Sequence, residues 1–238
     1  MADFEIKDGV AIIPEGTEKI NPYFFQDVEG LTTVVIPKSV VKIDKHLFSS
    51  QSGVTKIIVE EGNERYDSRN NCNAIIETEC NTLVAGCAST VIPDTVEEIG
   101  GYAFSECKGL TSVEIPNSVT SIGEAAFNEC EGLTSVEIPN SVTSIGEAAF
   151  KGCTGLTSVT IPEGVTSIGK EAFADCSALT TVALPNGVKK MPDAFLNCAG
   201  ITTINIPAKK TDYYKKRLPE ELHQFIVEME PEKKAKKK

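Results

Sequence analysis

Residues 110–132 read LTSVEIPNSVTSIGEAAFNECEG, and residues 133–155 read LTSVEIPNSVTSIGEAAFKGCTG. These neighbouring segments of 23 residues differ at only a few positions. The same spacing continues outside them, as shown by the prolines at 23-residue intervals: Pro93, Pro116, Pro139, Pro162 and Pro185. Self-similarity at a fixed period is the signature of a repeat architecture, so the chain is predicted to be an array of stacked units.

Each unit has the pattern L-x-x-V-x-I-P-x-x-V-x-x-I-G-x-x-A-F-x-x-C-x-G. Val113 and Ile115 alternate toward the interior of one short strand, which Pro116 ends because proline cannot donate to a ladder. Val119 and Ile122 point inward from a second extended segment, where β-branched residues are favoured. The pattern therefore predicts two short strands in every unit.

The second half of the unit is predicted to fill the core. Ala126 and Phe127 indicate a short helix or 3₁₀ turn, and Cys130 completes the apolar set. One unit cannot bury its apolar side alone, whereas stacked units bury a continuous core. The predicted fold is a repeat solenoid, a leucine-rich-repeat right-handed superhelix of short parallel β-strands with short helical or 3₁₀ turns, capped at both ends.

The repeat boundaries divide the chain into four parts. The predicted parts are an N-terminal cap with a degenerate first repeat at 1–30, the solenoid at 31–207, a C-terminal cap at 208–229 and a Lys-rich disordered tail at 230–238. Within the C-terminal cap, Thr211–Arg217 suits a short helix. Apolar residues after it have the spacing of one helical face: Leu218, Leu222, Phe225, Ile226 and Met229.

An insertion interrupts the array. Pro37 and Pro93 are 56 residues apart, ten more than two units require. Two short apolar runs, 74–76 and 82–84, flank a polar stretch in this region. They predict a β-hairpin at about 63–90 that projects from the solenoid. The hairpin is either a packing variant or a functional loop.

Composition excludes several classes of protein. The 238-residue chain carries a formal charge of −11, which argues against a general nucleic-acid binder. No apolar run is long enough for a transmembrane helix. The N-terminal residues lack the basic and apolar regions of a signal peptide, so none is expected in the sequence as it stands.

Catalytic and metal chemistry find little support in the sequence. There is no G-x-S-x-G, no phosphate-binding glycine loop and no H-E-x-x-H. The only histidines, His46 and His223, fall in an early turn and in the C-terminal cap. We therefore predict no catalytic residue, no cofactor site and no metal site, and we expect that the protein is not an enzyme.

Five of the eight cysteines follow the repeat: Cys107, Cys130, Cys153, Cys176 and Cys198. They lack the short local spacing of metal sites, and five residues pointing in the same direction cannot all pair. We expect them to be buried free thiols, which behave as small hydrophobes. Cys87 occupies a leucine position and should lie in the core. For Cys72 and Cys80, a bridge across the hairpin and two free thiols both stay open.

Outward positions of the first strand form repeating rows of side chains. The rows indicate a protein-binding face, for which the candidate residues are Ser112, Glu114, Ser135, Glu137, Ser158 and Thr160. An extended surface of this kind suits protein partners. Alternatively, Ser and Thr only solvate the sheet while Glu discourages edge aggregation. The hairpin at Asn73–Gly86 is a competing binding site.

The chain resembles the BspA-like leucine-rich repeat family. The resemblance rests on units such as LTSVEIPNSVTSIGEAAFNEC and LTSVTIPEGVTSIGKEAFADC, on the insert YDSRNNCNAIIETECNTLVAGC and on the ending IPAKKTDYYKKRLPEELHQFIVEM. It covers roughly residues 10–228. Such proteins are common in Bacteroidetes and other gut or oral bacteria, and occur in some parasitic protists.

This resemblance implies a non-enzymatic, adhesin-like protein at the cell surface or secreted. Its expected partner is a protein, either of the host matrix or of another bacterial surface. From the charge, the apolar runs and the motifs considered above, we expect no nucleic-acid partner, no membrane span and no cofactor. The alternative is a cytoplasmic scaffold of the same fold. The sequence leaves the oligomeric state open.

Overall fold

A computed structural model describes residues 4–22, 24–25, 28–48, 51 and 53–230. The strands in chain order are β1 (Glu5–Lys7), β2 (Val10–Ile12), β3 (Lys19–Ile20), β4 (Thr33–Ile36), β5 (Lys42–Ile43), β6 (Lys56–Val59), β7 (Tyr66–Asp67), β8 (Ala74–Glu77), β9 (Thr82–Gly86), β10 (Glu98–Ile99), β11 (Ser112–Glu114), β12 (Ser121–Ile122), β13 (Ser135–Glu137), β14 (Ser144–Ile145), β15 (Ser158–Thr160), β16 (Ser167–Ile168), β17 (Thr181–Ala183), β18 (Thr203–Pro207) and β19 (Ile226–Met229). The helices are α1 (Thr211–Lys215) and two 3₁₀ segments, Arg69–Asn71 and Glu220–Phe225.

These strands build a solenoid of about nine coils, which confirms the predicted fold class. The first strands of successive coils stack in parallel, as do the second strands. Partners in register are one repeat apart, for example Val113 with Val136 on the first side and Ile122 with Ile145 on the second. The core between the two sides is continuous from the hairpin to the C-terminal cap.

The third side of each coil consists of hydrogen-bonded turns where the sequence suggested a short helix or 3₁₀ turn. Ala125 adopts a left-handed conformation with φ 48°. Its N–H therefore points along the solenoid axis and donates to the Glu147 carbonyl at 2.8 Å. Phe127 N donates in the same way to the Ala149 carbonyl at 2.7 Å. Backbone groups thus pair between coils on all three sides, which satisfies donors that a helix would use internally.

A column of phenylalanine rings occupies the core beneath the turns. Phe104, Phe127, Phe150, Phe173 and Phe195 stack nearly in parallel, with centroid separations between 5.0 and 5.5 Å. This separation is close to the distance between neighbouring strands, about 4.8 Å, because each ring belongs to the next coil. Phe127, which the sequence places in the core, and its repeat equivalent Phe150 are both fully buried.

The inserted hairpin is present but does not project. β8 and β9 pair antiparallel, as predicted, and Ile75, Ile76 and Leu83 are fully buried. The buried apolar residues form two clusters, an N-terminal one that includes Val34 and a C-terminal one that includes Phe104. Ile75 packs with the N-terminal cluster, whereas Ile76 and Leu83 pack with the C-terminal cluster. The projecting loop was therefore a wrong prediction. A continuous apolar run such as Ala74–Ile76 is typical of a strand that is covered on both faces.

The end of the hairpin supports the phenylalanine column. A Cβ added to Gly86 would lie 2.2 Å from a ring carbon of Phe104, so a side chain at this position would collide with the first ring. Gly86 N donates to the Ala103 carbonyl at 2.8 Å. On the turn side, the His46 ring lies 3.7 Å from that of Tyr102, which ties the second coil to the coil after the insert.

Each end of the array is covered by its own segment. At the N-terminal end, β1 folds back antiparallel on β2. At the other end, Tyr213 Oη donates to the Val188 carbonyl at 2.8 Å, and Tyr214 Oη donates to the Pro185 carbonyl. The predicted helix after Thr211 is confirmed and ends at Lys215.

The predicted helical face of the C-terminal cap is wrong beyond Phe225. Residues 226–229 form β19, which extends the first-side sheet by pairing in parallel with β18. Met229 is consequently exposed, because alternate residues of a strand face opposite ways. The predicted disordered tail at 230–238 lies outside the described residues from position 231 onward.

We expect Phe150→Ala to lower the free energy of unfolding by about 3–5 kcal/mol, because it removes a buried ring from the column. Denaturant unfolding measures this loss. Since coils support their neighbours, hydrogen exchange should increase mainly within residues 133–178. The exposed change Glu147→Gln serves as control and should stay within about 0.5 kcal/mol. Unchanged exchange in that segment would contradict the packing described.

We expect Gly86→Ala to destabilise the protein by about 1–3 kcal/mol, because the new methyl group overlaps the fixed ring of Phe104. Gly187→Ala is the matched control, since nothing lies within 4 Å of its added Cβ and its φ is not left-handed. It should be neutral or slightly stabilising. Thermal unfolding of both variants distinguishes them, and equal midpoints would refute the contact between Gly86 and Phe104.

Candidate protein-binding groove

The six predicted binding residues lie on β11, β13 and β15, and all are exposed. Ser112 pairs in register with Ser135, and Glu114 pairs with Glu137. β15, which carries Ser158 and Thr160, instead pairs with β17. The two predicted rows are therefore in ladder register between β11 and β13, and they continue to the neighbouring strand β15 without ladder pairing. Whether these residues bind a protein stays a prediction.

A groove of about 630 Å³ runs over the ends of β11 and β13. Its lining comprises residues 90–92, Asp94, 112–117 and 137–140. Three of the predicted residues, Ser112, Glu114 and Glu137, belong to it. Ser135, Ser158 and Thr160 do not line it.

The groove begins where the insert disturbs the first-side sheet. Residues 88–92 form no strand, although their sequence occupies the first-strand position. Val91 N donates to the Cys72 carbonyl at 3.0 Å, and Ser89 Oγ bonds to the Thr55 carbonyl. β11 accordingly pairs with β13 and with no other strand of the described chain.

One rim of the groove is apolar. Val91 is 73% exposed, the largest exposure among the large hydrophobic residues in the described chain. Its side chain places an apolar group beside the polar lining of the groove. Val91 occupies the outward first-strand position one repeat before Glu114, but it is not among the residues selected from the sequence. Its apolar character at a position where the next two repeats have Glu was the available signal.

The other groove walls carry uncompensated negative charge. Asp94, Glu114 and Glu137 form no ion pair with any described residue. Carboxylates on other faces do have partners, for example Glu131 with Lys108 at 2.7 Å. Three unpaired carboxylates around one concavity produce a local negative potential that attracts cationic groups. Sequence reasoning missed Asp94, which follows a repeat proline.

The repeating cysteines are part of the core and of its hydrogen bonding. Four of the five thiols donate to the phenylalanine carbonyl of the preceding coil, as Cys130 does to Phe104 O and Cys153 to Phe127 O, both at 3.1 Å. Burial raises the pKa of the Cys153 thiol to about 12. Such thiols stay protonated and unreactive near neutral pH.

Other cysteines depart from this pattern. Cys107 is only half-buried, although burial still raises the pKa of its thiol to about 11. Cys72 is buried and Cys80 is exposed, and both are free thiols, so the structure has no bridge across the hairpin. Gln51 occupies the cysteine position of its coil and makes the equivalent bond, with Nε2 donating to the Phe25 carbonyl at 3.0 Å.

Each of the two histidines contacts a neighbouring group of the protein. The His46 ring packs against that of Tyr102 with an interplanar angle of 40°, and His223 Nε2 lies 3.1 Å from the Leu218 carbonyl. Among the described residues, no group of three or more His, Cys, Asp or Glu side chains is arranged to hold a metal ion. Nor does this part of the chain contain a helix of the length and apolarity needed to cross a membrane.

The fold and the groove define a leucine-rich-repeat solenoid with an exposed sheet face. The sequence profile of the BspA type leucine rich repeat region matches residues 10–84 and 74–202, in six copies. The chain therefore belongs to this family, as the resemblance implied. The comparison with curated proteins finds no match.

Solved structures of bacterial repeat proteins share the fold. A leucine rich cell surface protein from Faecalibacterium prausnitzii superposes with a TM-score of 0.73 at 32% identity over 84% of this chain. A leucine-rich repeat protein from Eubacterium ventriosum gives 0.63 at 25% identity over 94%. The pneumococcal vaccine antigen PcpA, at 23% identity over 83% and a TM-score of 0.65, is similar in fold. The chain spans 54%, 66% and 47% of these three structures, respectively.

We expect about one thiol per native chain, that of Cys80, to react rapidly with a disulfide reagent at pH 8, because the other thiols are buried or half-buried. Absorbance of the released product counts the reacting groups. Cys80→Ser should remove the rapid phase, whereas unfolding in denaturant should expose all eight cysteines of the wild type. Rapid reaction of three or more native thiols would contradict the buried ladder.

Proposed function

We propose that this chain is a non-enzymatic protein-binding solenoid that acts as an adhesin-like protein, at the cell surface or secreted. The observation that carries the proposal is the groove that brings Glu114, Glu137 and Asp94 together beside exposed Val91. A concave surface with an apolar rim and unpaired charge suits an extended protein segment that presents both Lys or Arg and an apolar side chain.

Family membership supports binding of a protein rather than a reaction. Repeat solenoids present extended surfaces on which many weak contacts add up. The F. prausnitzii relative is described as a cell surface protein, and a surface location of this chain is part of the proposal. A partner from the host matrix or from another bacterial surface would then meet the exposed sheet face.

The second candidate is an intracellular scaffold of the same fold. The observation that favours it is the free thiol of Cys80, which is exposed. Exposed free thiols persist in reducing compartments and are uncommon in oxidising ones. Fractionation of the native cells with an antibody against the chain separates the two candidates, because only the first places the protein outside the cell.

We expect the double variant Glu114→Lys/Glu137→Lys to keep its stability within about 0.5 kcal/mol per site, since both positions are exposed. It should nevertheless bind its protein partner at least tenfold more weakly, equivalent to about 1.4 kcal/mol. Solid-phase binding to a panel of purified matrix proteins and to whole bacterial cells measures the effect. Wild-type binding should also weaken at high salt, because screening reduces attraction between exposed charges.

The matched control is Glu129→Lys/Glu147→Lys, which reverses two exposed charges on the turn side. It should bind like the wild type. The competing site is the hairpin, whose exposed tip is tested by Glu79→Lys. Deletion of Asn73–Gly86 is unsuitable because it removes buried core residues. Loss of binding in the tip variant, with retention in Glu114→Lys/Glu137→Lys, would move the site from the groove to the hairpin.

A further inference from the structure

The chain has opposite charges in two regions. Residues 208–238 carry ten basic and six acidic residues, a net of +4, which leaves −15 on residues 1–207. Five of the lysines fall within 233–238. The unpaired carboxylates of the groove lie in the acidic part. The molecule therefore contains both a cationic segment and a concave anionic surface.

The sheet register determines where the cationic segment starts. Met229, the last residue of β19, pairs with Pro207 of β18. Pro207 is the repeat proline of its coil, equivalent to Pro116 and Pro139 in the groove lining. Since the intervening pairs are parallel, the chain leaves β19 at the same edge of the sheet as the groove.

The distances allow the segment to reach the groove within one molecule. β19 is separated from β13 by four strand steps, through β18, β17 and β15. Four steps amount to about 19 Å, and β11 lies about 24 Å away. An extended chain advances about 3.3 Å per residue, so Lys236 can travel about 23 Å from Met229 and Lys238 about 30 Å. Both lengths exceed the distances to Glu137 and Glu114.

We infer that residues 231–238 bind in the groove of the same molecule, with lysine ammonium groups pairing with Glu114 and Glu137. The segment then occupies the surface that the proposed function assigns to an external cationic partner. A partner must displace it, which lowers the apparent affinity by the fraction of open grooves. The inference concerns contacts within one chain and does not depend on the existence of an external partner.

Carbodiimide cross-linking of the full-length chain tests the inference, because the reagent joins a lysine amine to a carboxylate only when they are in contact. In the monomeric fraction we expect links between Lys233–Lys238 and Glu114 or Glu137, and their loss in 1 M salt. Glu114→Gln/Glu137→Gln should reduce the yield at least fivefold. Glu129→Gln/Glu147→Gln, the matched control, should leave it unchanged.

Mixing chains of two isotopic compositions distinguishes contacts within and between molecules. Links found only between differently labelled chains, or links that survive the groove substitutions, would overturn the inference. A second measurement uses a fluorescent peptide of residues 230–238. It should bind at least threefold more tightly to a full-length variant with its five lysines at 233–238 changed to Gln than to the wild type, whose groove is occupied. Equal affinities would also overturn the inference.

Discussion

The structure depends on the hydrogen bonding of each coil to the next at the spacing of neighbouring β-strands. On the first and second sides, N–H groups donate to the preceding or to the following coil, as Thr134 N does to Thr111 O and Ile161 N to Ala183 O. On the turn side they donate to the following coil, as Ala125 N does to Glu147 O. Because all three sides must keep this spacing of about 4.8 Å, every residue of a unit stacks on its equivalent one repeat away.

This constraint explains the choice of residues inside the solenoid. Parallel rings fit the spacing, so phenylalanine forms a column, and a thiol fits between that column and the backbone of the preceding coil. At the corner before the turns, a Cβ on Gly146 would lie 2.5 Å from Glu124 N, so the close approach of two coils excludes any side chain. The stability of one unit is therefore inseparable from that of its neighbours.

The sequence was sufficient to predict the features that follow from the 23-residue repeat. It was not sufficient at the insert, where the repeat is interrupted. The strands, the burial of Phe127 and Phe150 and the outward direction of Glu114 all follow from the period. The buried hairpin could not be placed, because its apolar runs do not reveal that it enters between two core clusters. The groove could not be predicted for a related reason. Its shape depends on Val91 bonding to Cys72 instead of continuing a ladder, a choice made by the insert in three dimensions.

The break is also what makes one region of a periodic surface distinct. A perfect stack of identical coils presents the same side chains repeatedly, so no point along it is special. By interrupting the first-side sheet before β11, the insert leaves a concavity next to carboxylates that the repeat supplies at Glu114 and Glu137. Val91 and Asp94 belong to the coil that directly follows the inserted hairpin. The two following repeats have residues of a different type at the equivalent positions. Binding of a partner in the groove would thus use the carboxylates that the repeat supplies, Glu114 and Glu137, together with the concave shape that the insert produces. Substitution of the exposed side chains that line the groove, such as Glu114 or Val91, should therefore alter binding without disturbing the ladder that holds the coils together.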